Sequence, residues 1–592
     1  MPTLNWIGKE AVVNHHLEVP FHLLKDVPEL ACGEPGSGNL IVQGDNLVAL
    51  KALLPYYAGQ VKCIYIDPPY NTGVDERNEE GKRSGWIYSD NVSSPEISEW
   101  LDRVVGTEAE DLSRHEKWLC MMYPRLALLR RFLRDDGVLF ASIDEVEYAN
   151  LRHLLDEIFG IQNRVGTIIW HNATDNNPTN IALEHEYILA YARDKRKLAS
   201  EWKSQDLAAK DKLLRVGDEF VMRYQDQTIR QREYTKWFRE NKAYMWPFDR
   251  YKYIDDGGIY TGSQSVHNPG KEGYRYDVIH PVTRKPCTQP LMGYRFPPET
   301  MERLLSEERI LFGGDEGKIV ELKVYVRDYR AKLSSLFELD GRIGTYEIKD
   351  VFPGEKRPFD FPKPTSLIEE ILSFTTSGDD LVLDSFAGSG TTGHAALKLN
   401  RSDGQKRRFI LVEMKRQIAR DISAERIRRV AQGYTNAKGE AVPGLGGGFR
   451  YCELGEPLFD EAGKIRETVS FADLARHVYF TETGEPLPAM ATKERREHKG
   501  EPGSSLSPLC SLVANSPFLG ACRGVGIYLL YNGILGDRSD DGGNVLTRSV
   551  LASLPPFDGS KVIYCAGCLL GRDRLQAEGI TVRQTPYEVK VS

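Results

Sequence analysis

Val61-Lys62-Cys63-Ile64-Tyr65-Ile66-Asp67-Pro68-Pro69-Tyr70 is an apolar run that ends abruptly in an acid, two prolines and an aromatic residue. Six largely β-branched and apolar positions predict a buried strand, and the prolines stop it. Far downstream, Leu381-Val382-Leu383-Asp384-Ser385-Phe386-Ala387-Gly388-Ser389-Gly390-Thr391-Thr392 repeats the design with a glycine-rich turn in place of the prolines. Each stretch is a strand that delivers polar groups at its carboxyl end.

The first turn is mechanically stiff. Two prolines fix φ and leave the Pro68 carbonyl free to face a pocket. Asp67 supplies one acceptor and that carbonyl another, matching the two N–H groups of a flat, amine-bearing base, while Tyr70 offers a stacking face. Two acceptors drawing on the hydrogens favour a pyramidal nitrogen with a usable lone pair, so positioning and electrostatics suffice without a strong base. Asp-Pro-Pro-Tyr alone is also compatible with a plain turn. Here it closes an apolar strand and continues into Asn71-Thr72-Gly73.

In the second turn, Gly388 and Gly390 allow close approach to a ligand. A P-loop would need Lys after its second glycine, where Thr391 stands. Gly393 falls at dinucleotide-fingerprint spacing, which keeps a dehydrogenase as the competing reading. Asp384 can receive an ammonium group. Glu413 ends the strand Phe409-Ile410-Leu411-Val412, where a carboxylate binds ribose hydroxyls. Lys363-Pro364-Thr365 opens a helix whose first N–H groups suit a carboxylate. An ammonium site and a carboxylate site beside one glycine loop describe S-adenosylmethionine better than a pyrophosphate.

Around these motifs, strands and helices alternate over residues 39–192 and again over 368–430, predicting a parallel-rich α/β sheet. Residues 1–200 and 351–445 read as two halves of one catalytic domain. Between them lies an insert, 201–350, dense in aromatics, whose basic and acidic residues nearly balance within a chain of net charge −8. Gly444-Leu445-Gly446-Gly447-Gly448 marks the start of a C-terminal region, 446–592, with a polar linker at 489–515. The nine cysteines show no repeated spacing, and the lone Cys565-Ala566-Gly567-Cys568 reads as structural. With no basic-then-apolar leader and no long apolar stretch, a cytoplasmic protein without a membrane span is expected. His185, His267 and His280 read as structural; no spacing suggests a metal, and none is expected.

The chain resembles the β group of DNA amino-methyltransferases, most closely the modification (Mod) subunits of type III restriction-modification systems. The matching text includes Gln43-Gly44-Asp45-Asn46-Leu47, Ile64 to Gly73, Met122-Tyr123-Pro124-Arg125-Leu126, Gly137 to Asp144, Glu184-His185-Glu186-Tyr187-Ile188-Leu189, Lys363-Pro364, Asp384 to Thr392, and Gly447 to Tyr451. The resemblance implies a Rossmann-like, S-adenosylmethionine-dependent sheet in circularly permuted motif order, with an inserted target-recognition domain. It implies catalytic roles for Asp67, Pro68, Pro69 and Tyr70. It implies cofactor contacts from Lys363, Thr365, Asp384, Phe386, Ala387, Gly388, Ser389, Gly390, Thr391, Thr392 and Glu413. Asp45 is assigned to the cofactor's adenine amine, with a helix N-cap as its alternative role.

The implied activity is methylation of adenine N6 in a flipped base of double-stranded DNA. Asp rather than Ser at position 67 favours adenine over cytosine N4. A homodimer and a restriction (Res) partner are the implied assemblies; with no nuclease or helicase constellation in the sequence, any cleavage is expected of the partner chain. The alternatives are a specificity module that mainly docks a restriction partner, an N4-cytosine enzyme and an RNA methyltransferase. In the insert, Arg223, Arg230, Arg232, Lys236, Arg239 and Lys242 are candidates for reading guanines or holding phosphates, against a solvated mixed-charge face.

Overall fold

The computed structural model describes residues 3–33, 37–72, 95–105, 112–172, 180–200, 202–204, 208–241, 248, 250–268, 270–329, 331–461, 464–488, 516–532 and 543–585. Most of the polar segment 71–95, rich in Gly, Asp and Ser and read from the sequence as a loop beside the site, lies outside them, as do Lys242, Tyr244, Trp246 and the linker 489–515.

The chain divides into two compact units, residues 1–200 with 334–592, and residues 201–333. The first is built on ten strands: β1 (His22–Asp26), β2 (Leu40–Gln43), β3 (Val61–Ile66), β4 (Leu133–Ile143), β5 (Arg164–His171), β6 (His185–Ala192), β7 (Leu336–Glu338), β8 (Leu381–Asp384), β9 (Arg408–Glu413) and β10 (Arg450–Pro457). They lie in the order β1-β10-β2-β9-β8-β3-β4-β6-β5-β7. The run from β10 to β4 is parallel, and β6 is antiparallel to both of its neighbours. Strands from late in the chain are thus interleaved with early ones, Leu383 pairing with Ile64 and Val412 with Val42. Central parallel strands are covered on both faces, which is why β3 and β8 are almost wholly apolar and buried.

Two stretches fall elsewhere than the sequence suggested. Residues 334–350, assigned to the insert, belong to the first unit: β7 pairs in parallel with β5, and helix α1 (Arg342–Val351) follows it. β10, assigned to the C-terminal region, is a strand of the main sheet, with Arg450 opposite Leu40. Hydrogen bonding to β1 on one side and β2 on the other outweighs the glycine-rich stretch that precedes it. Beyond β10, the helix Phe471–Thr483 joins the main core through Leu474, Val478 and Phe480. A second sheet (Phe518–Cys522, Val525–Leu529, Ser560–Cys565, Ile580–Gln584) adds Ile527 and Leu529 to the same core. No helix among the described residues is long and apolar enough to cross a membrane.

The second unit packs two helices, Ala208–Arg223 and Gln227–Asn241, with a four-stranded antiparallel sheet. Its aromatics are largely core: Tyr234, Phe238, Phe248 and Tyr251 are buried together. Arg230 is also buried, bonded to the Tyr224 carbonyl and paired with Asp256. It is therefore a structural residue of this unit, which removes it from the candidates for reading guanines or holding phosphates. Arg223 and Arg232 are exposed and pair with Glu219 and Glu233.

Candidate functional site

β3 and β8 are neighbours, yet β3 is followed in space by β4 on one side and β8 by β9 on the other. Such a reversal opens a crevice outside the carboxyl ends of the strands. Both decisive turns empty into it. A cleft of about 510 Å³ is lined by Asp67, Pro68 and Tyr70 from the β3 turn and by Asp384, Phe386, Ala387, Gly388, Ser389, Thr391 and Thr392 from the β8 turn. Lys363, Phe359, Asp360 and Phe361 line it from the segment before α2 (Thr365–Thr375), and Trp170, Asn172 and Glu186 from the sheet.

The glycine turn closes on itself. Gly388 and Gly390 have φ of 50° and 77°, and a Cβ on Gly390 would stand 3.3 Å from the Ser423 backbone. Gly390 leads directly into α3 (Thr391–Asp403). Asp384 accepts the Phe386 N–H at 3.0 Å and the Thr392 hydroxyl at 2.6 Å. Burial pushes its carboxyl up to about 7 despite those two bonds, with the Asp67 and Glu413 charges acting in the same direction. Glu413 accepts the Gly388 N–H at 3.0 Å and the Lys415 N–H at 2.9 Å. Beneath the turn, the fully buried Arg426 donates to the Ser389 and Thr391 hydroxyls, each at 2.9 Å.

The proline turn is held from two sides. The Trp118 indole donates to the Pro69 carbonyl at 2.7 Å, whereas the Pro68 carbonyl has no partner among the described residues. Asp67 Oδ1 accepts from the Tyr70 hydroxyl at 2.9 Å and from Lys363 Nζ at 3.0 Å. Glu186 Oε2 accepts from the same two donors, at 2.8 and 3.3 Å. Burial alone would lower the Lys363 ammonium, but the two carboxylates outweigh it and hold it above the ordinary lysine value.

A family model described as DNA methylase matches residues 61–425, more than half of the chain and both turns. The chain belongs to this DNA methylase family. The Mod subunit of the type III restriction-modification enzyme EcoP15I from Escherichia coli is 49% identical over 423 residues, covering 70% of this chain and 64% of that protein. The StyLTI Mod subunit of Salmonella typhimurium is 32% identical over 422 residues, covering 67% and 57%. The chain thus spans less than two thirds of the length of either relative. Among solved structures, PvuII DNA methyltransferase (cytosine-N4-specific) aligns with a TM-score of 0.30 at 12% identity, covering 66% of this chain and 86% of that one.

The structure brings together most of the residues singled out in the sequence, but not all. Pro69 faces Trp118, and Gly390 and Glu413 shape the glycine turn from behind; none of the three lines the cleft. Asp45 is not among its lining residues; it caps the helix Asn46–Tyr57 through the Leu47 and Val48 N–H groups and pairs with Arg125 at 3.0 Å. That is its alternative role, the N-cap. Thr365 is buried: its N–H and hydroxyl bind the Glu347 carboxylate, so the carboxylate at the start of α2 comes from the chain itself. Sequence reasoning assigned no role to Glu186, Trp170 or Asn172. The only local signal was Glu184-His185-Glu186-Tyr187, where strand alternation sends Glu186 to the face opposite His185 and Tyr187.

Proposed function

We propose that the chain is a sequence-specific DNA methyltransferase. In this reading it transfers a methyl group from S-adenosylmethionine to adenine N6 of a base rotated out of the duplex. It works in the cytoplasm as the modification subunit of a type III restriction-modification system. The observation that supports it best is the single cleft shared by Asp67 and Asp384, at the ends of adjacent strands. The names of the Escherichia and Salmonella relatives favour the type III assignment. Double-stranded DNA is then the substrate, a second Mod chain a partner, and a Res subunit the source of cleavage.

The residues present fit the cofactor. Asp384 is buried in the cleft wall with no paired cation among the described residues, a place suited to an ammonium group. Gly388 keeps the turn low: a Cβ there would already touch the Phe359 ring at 3.1 Å. When bound, S-adenosylmethionine supplies a methyl group on a cationic sulfur, which keeps the electrons of the broken S–C bond while the new N–C bond forms and nitrogen loses a proton.

The chain's own groups hold the acceptor. Asp67 Oδ2 has no partner among the described residues and accepts one amine hydrogen, and the Pro68 carbonyl accepts the other. Charge developing on that nitrogen falls beside the Asp67 carboxylate, an oriented electrostatic partner. Tyr70 and Trp170 wall the base.

The test is methylation of duplex DNA by the isolated chain with labelled S-adenosylmethionine. Label recovered as N6-methyladenine at a defined sequence is the expected result. Label on cytosine, on RNA only, or nowhere would overturn the reading.

A further inference from the structure

Two donors in the cleft are each shared by two carboxylates. The Tyr70 hydroxyl has one proton, yet Asp67 Oδ1 and Glu186 Oε2 lie 2.9 and 2.8 Å from it. The Lys363 ammonium lies 3.0 and 3.3 Å from the same two atoms and 4.8 Å from the centre of the Tyr70 ring. Glu186 is the fixed member of the pair, because its other oxygen takes the Asn172 side-chain N–H at 2.6 Å. It projects from a strand of the sheet, whereas Lys363 stands on the irregular segment before α2.

We propose that Glu186 is a positioning residue. Resting on the methyltransferase reading above, it draws Lys363 and the Tyr70 proton off Asp67, so that Asp67 can engage the target amine. With Lys363 on Asp67, an ammonium competes for the carboxylate that must hold the amine. With Lys363 and the phenol proton on Glu186, all of Asp67 is free to accept. Charge points the same way. Asp67, Glu186 and Lys363 together carry one net negative charge, which suits a cationic methyl donor. Removing Glu186 leaves Lys363 and Asp67 as a closed, neutral pair.

The proposal makes a non-additive prediction. E186Q lowers kcat for DNA methylation by tenfold or more, with little change in the affinity for S-adenosylmethionine measured by calorimetry. K363M in the E186Q background then recovers most of the lost kcat, because Asp67 is again free of the ammonium and the charge of −1 at these three positions is restored. A Glu186 that merely supports the fold would show the opposite: the second substitution would add to the first defect, and such an additive or worse double variant overturns the proposal. Unimpaired E186Q overturns it as well. Wild-type chain inactive under all conditions would instead remove the methyltransferase reading, and this inference with it.

Discussion

Glu347 on α1 binds Thr365 at the start of α2 twice, Oε2 accepting the backbone N–H at 2.8 Å and Oε1 the hydroxyl at 2.6 Å. A helix beginning after Pro364 has no side-chain cap of its own, and a carboxylate from another helix takes that part. Lys363 is two residues away, so the cap also fixes the segment that carries the cleft's ammonium.

Glu347→Ala should therefore destabilise the protein by about 1 kcal/mol, the usual cost of a lost cap. Thermal unfolding checks this. An unchanged melting temperature would show that the contact contributes nothing.

Asp67→Ala should reduce methyl transfer by at least ~100-fold, on the scale of losing an oriented electrostatic partner. Cofactor affinity should stay near wild type, since the partner proposed for Asp67 is the target amine. Single-turnover rates and calorimetry separate the two. Substantial residual turnover would refute the catalytic assignment.

Asp384 carries a pH signature. Burial raises its folded-state value from 3.8 to about 7, so between these pH values the folded protein holds a proton that the unfolded chain has released. The stability linked to this group is present below pH 3.8 and is lost as pH rises through 7. Binding of a cationic ammonium has the opposite trend: it needs the ionised form, so affinity should fall below pH 7, by up to about tenfold per unit. Asp384→Asn should flatten both profiles, and unaltered profiles in that variant would rule out Asp384 as their source.

Gly390→Val combines a backbone penalty with a steric one. Its φ of 77° is unfavourable for a β-branched residue, and the new side chain would press on Ser423. Destabilisation of about 1–2 kcal/mol is expected from the backbone alone, together with loss of cofactor binding. Calorimetry on the folded variant showing wild-type affinity would contradict the placement of the cofactor.

Exchanging residues 201–333 for those of a relative should move methylation to a new sequence while leaving the modified atom the same. The exchange ends at 333 because β7 pairs into the main sheet and α1, whose Arg342 and Thr345 line the cleft, belongs to the same unit. A folded chimera that still methylates the original sequence would locate specificity outside this unit.

The chain's sequence determined what is local. An apolar run ending in Asp-Pro-Pro-Tyr must be a strand with a stiff tip, and a run ending in Asp384 and spaced glycines must turn tightly into a helix, because proline, glycine and side-chain periodicity act over a few residues. Asp45 followed by a helical apolar pattern already contained its N-cap role. Tertiary structure alone decided which distant groups meet. Glu186 and Lys363, Glu347 and Thr365, and Arg426 and Ser389 are pairs with no sequence signal joining them. Each is made by interleaving β8 and β9 between β2 and β3, or by packing helices on that sheet. The same holds for Arg230 and the insert's aromatics, which composition made look like a binding surface and packing turned into a core. Short-range pattern records what a segment can form; burial and charge pairing depend on what the completed sheet places against it.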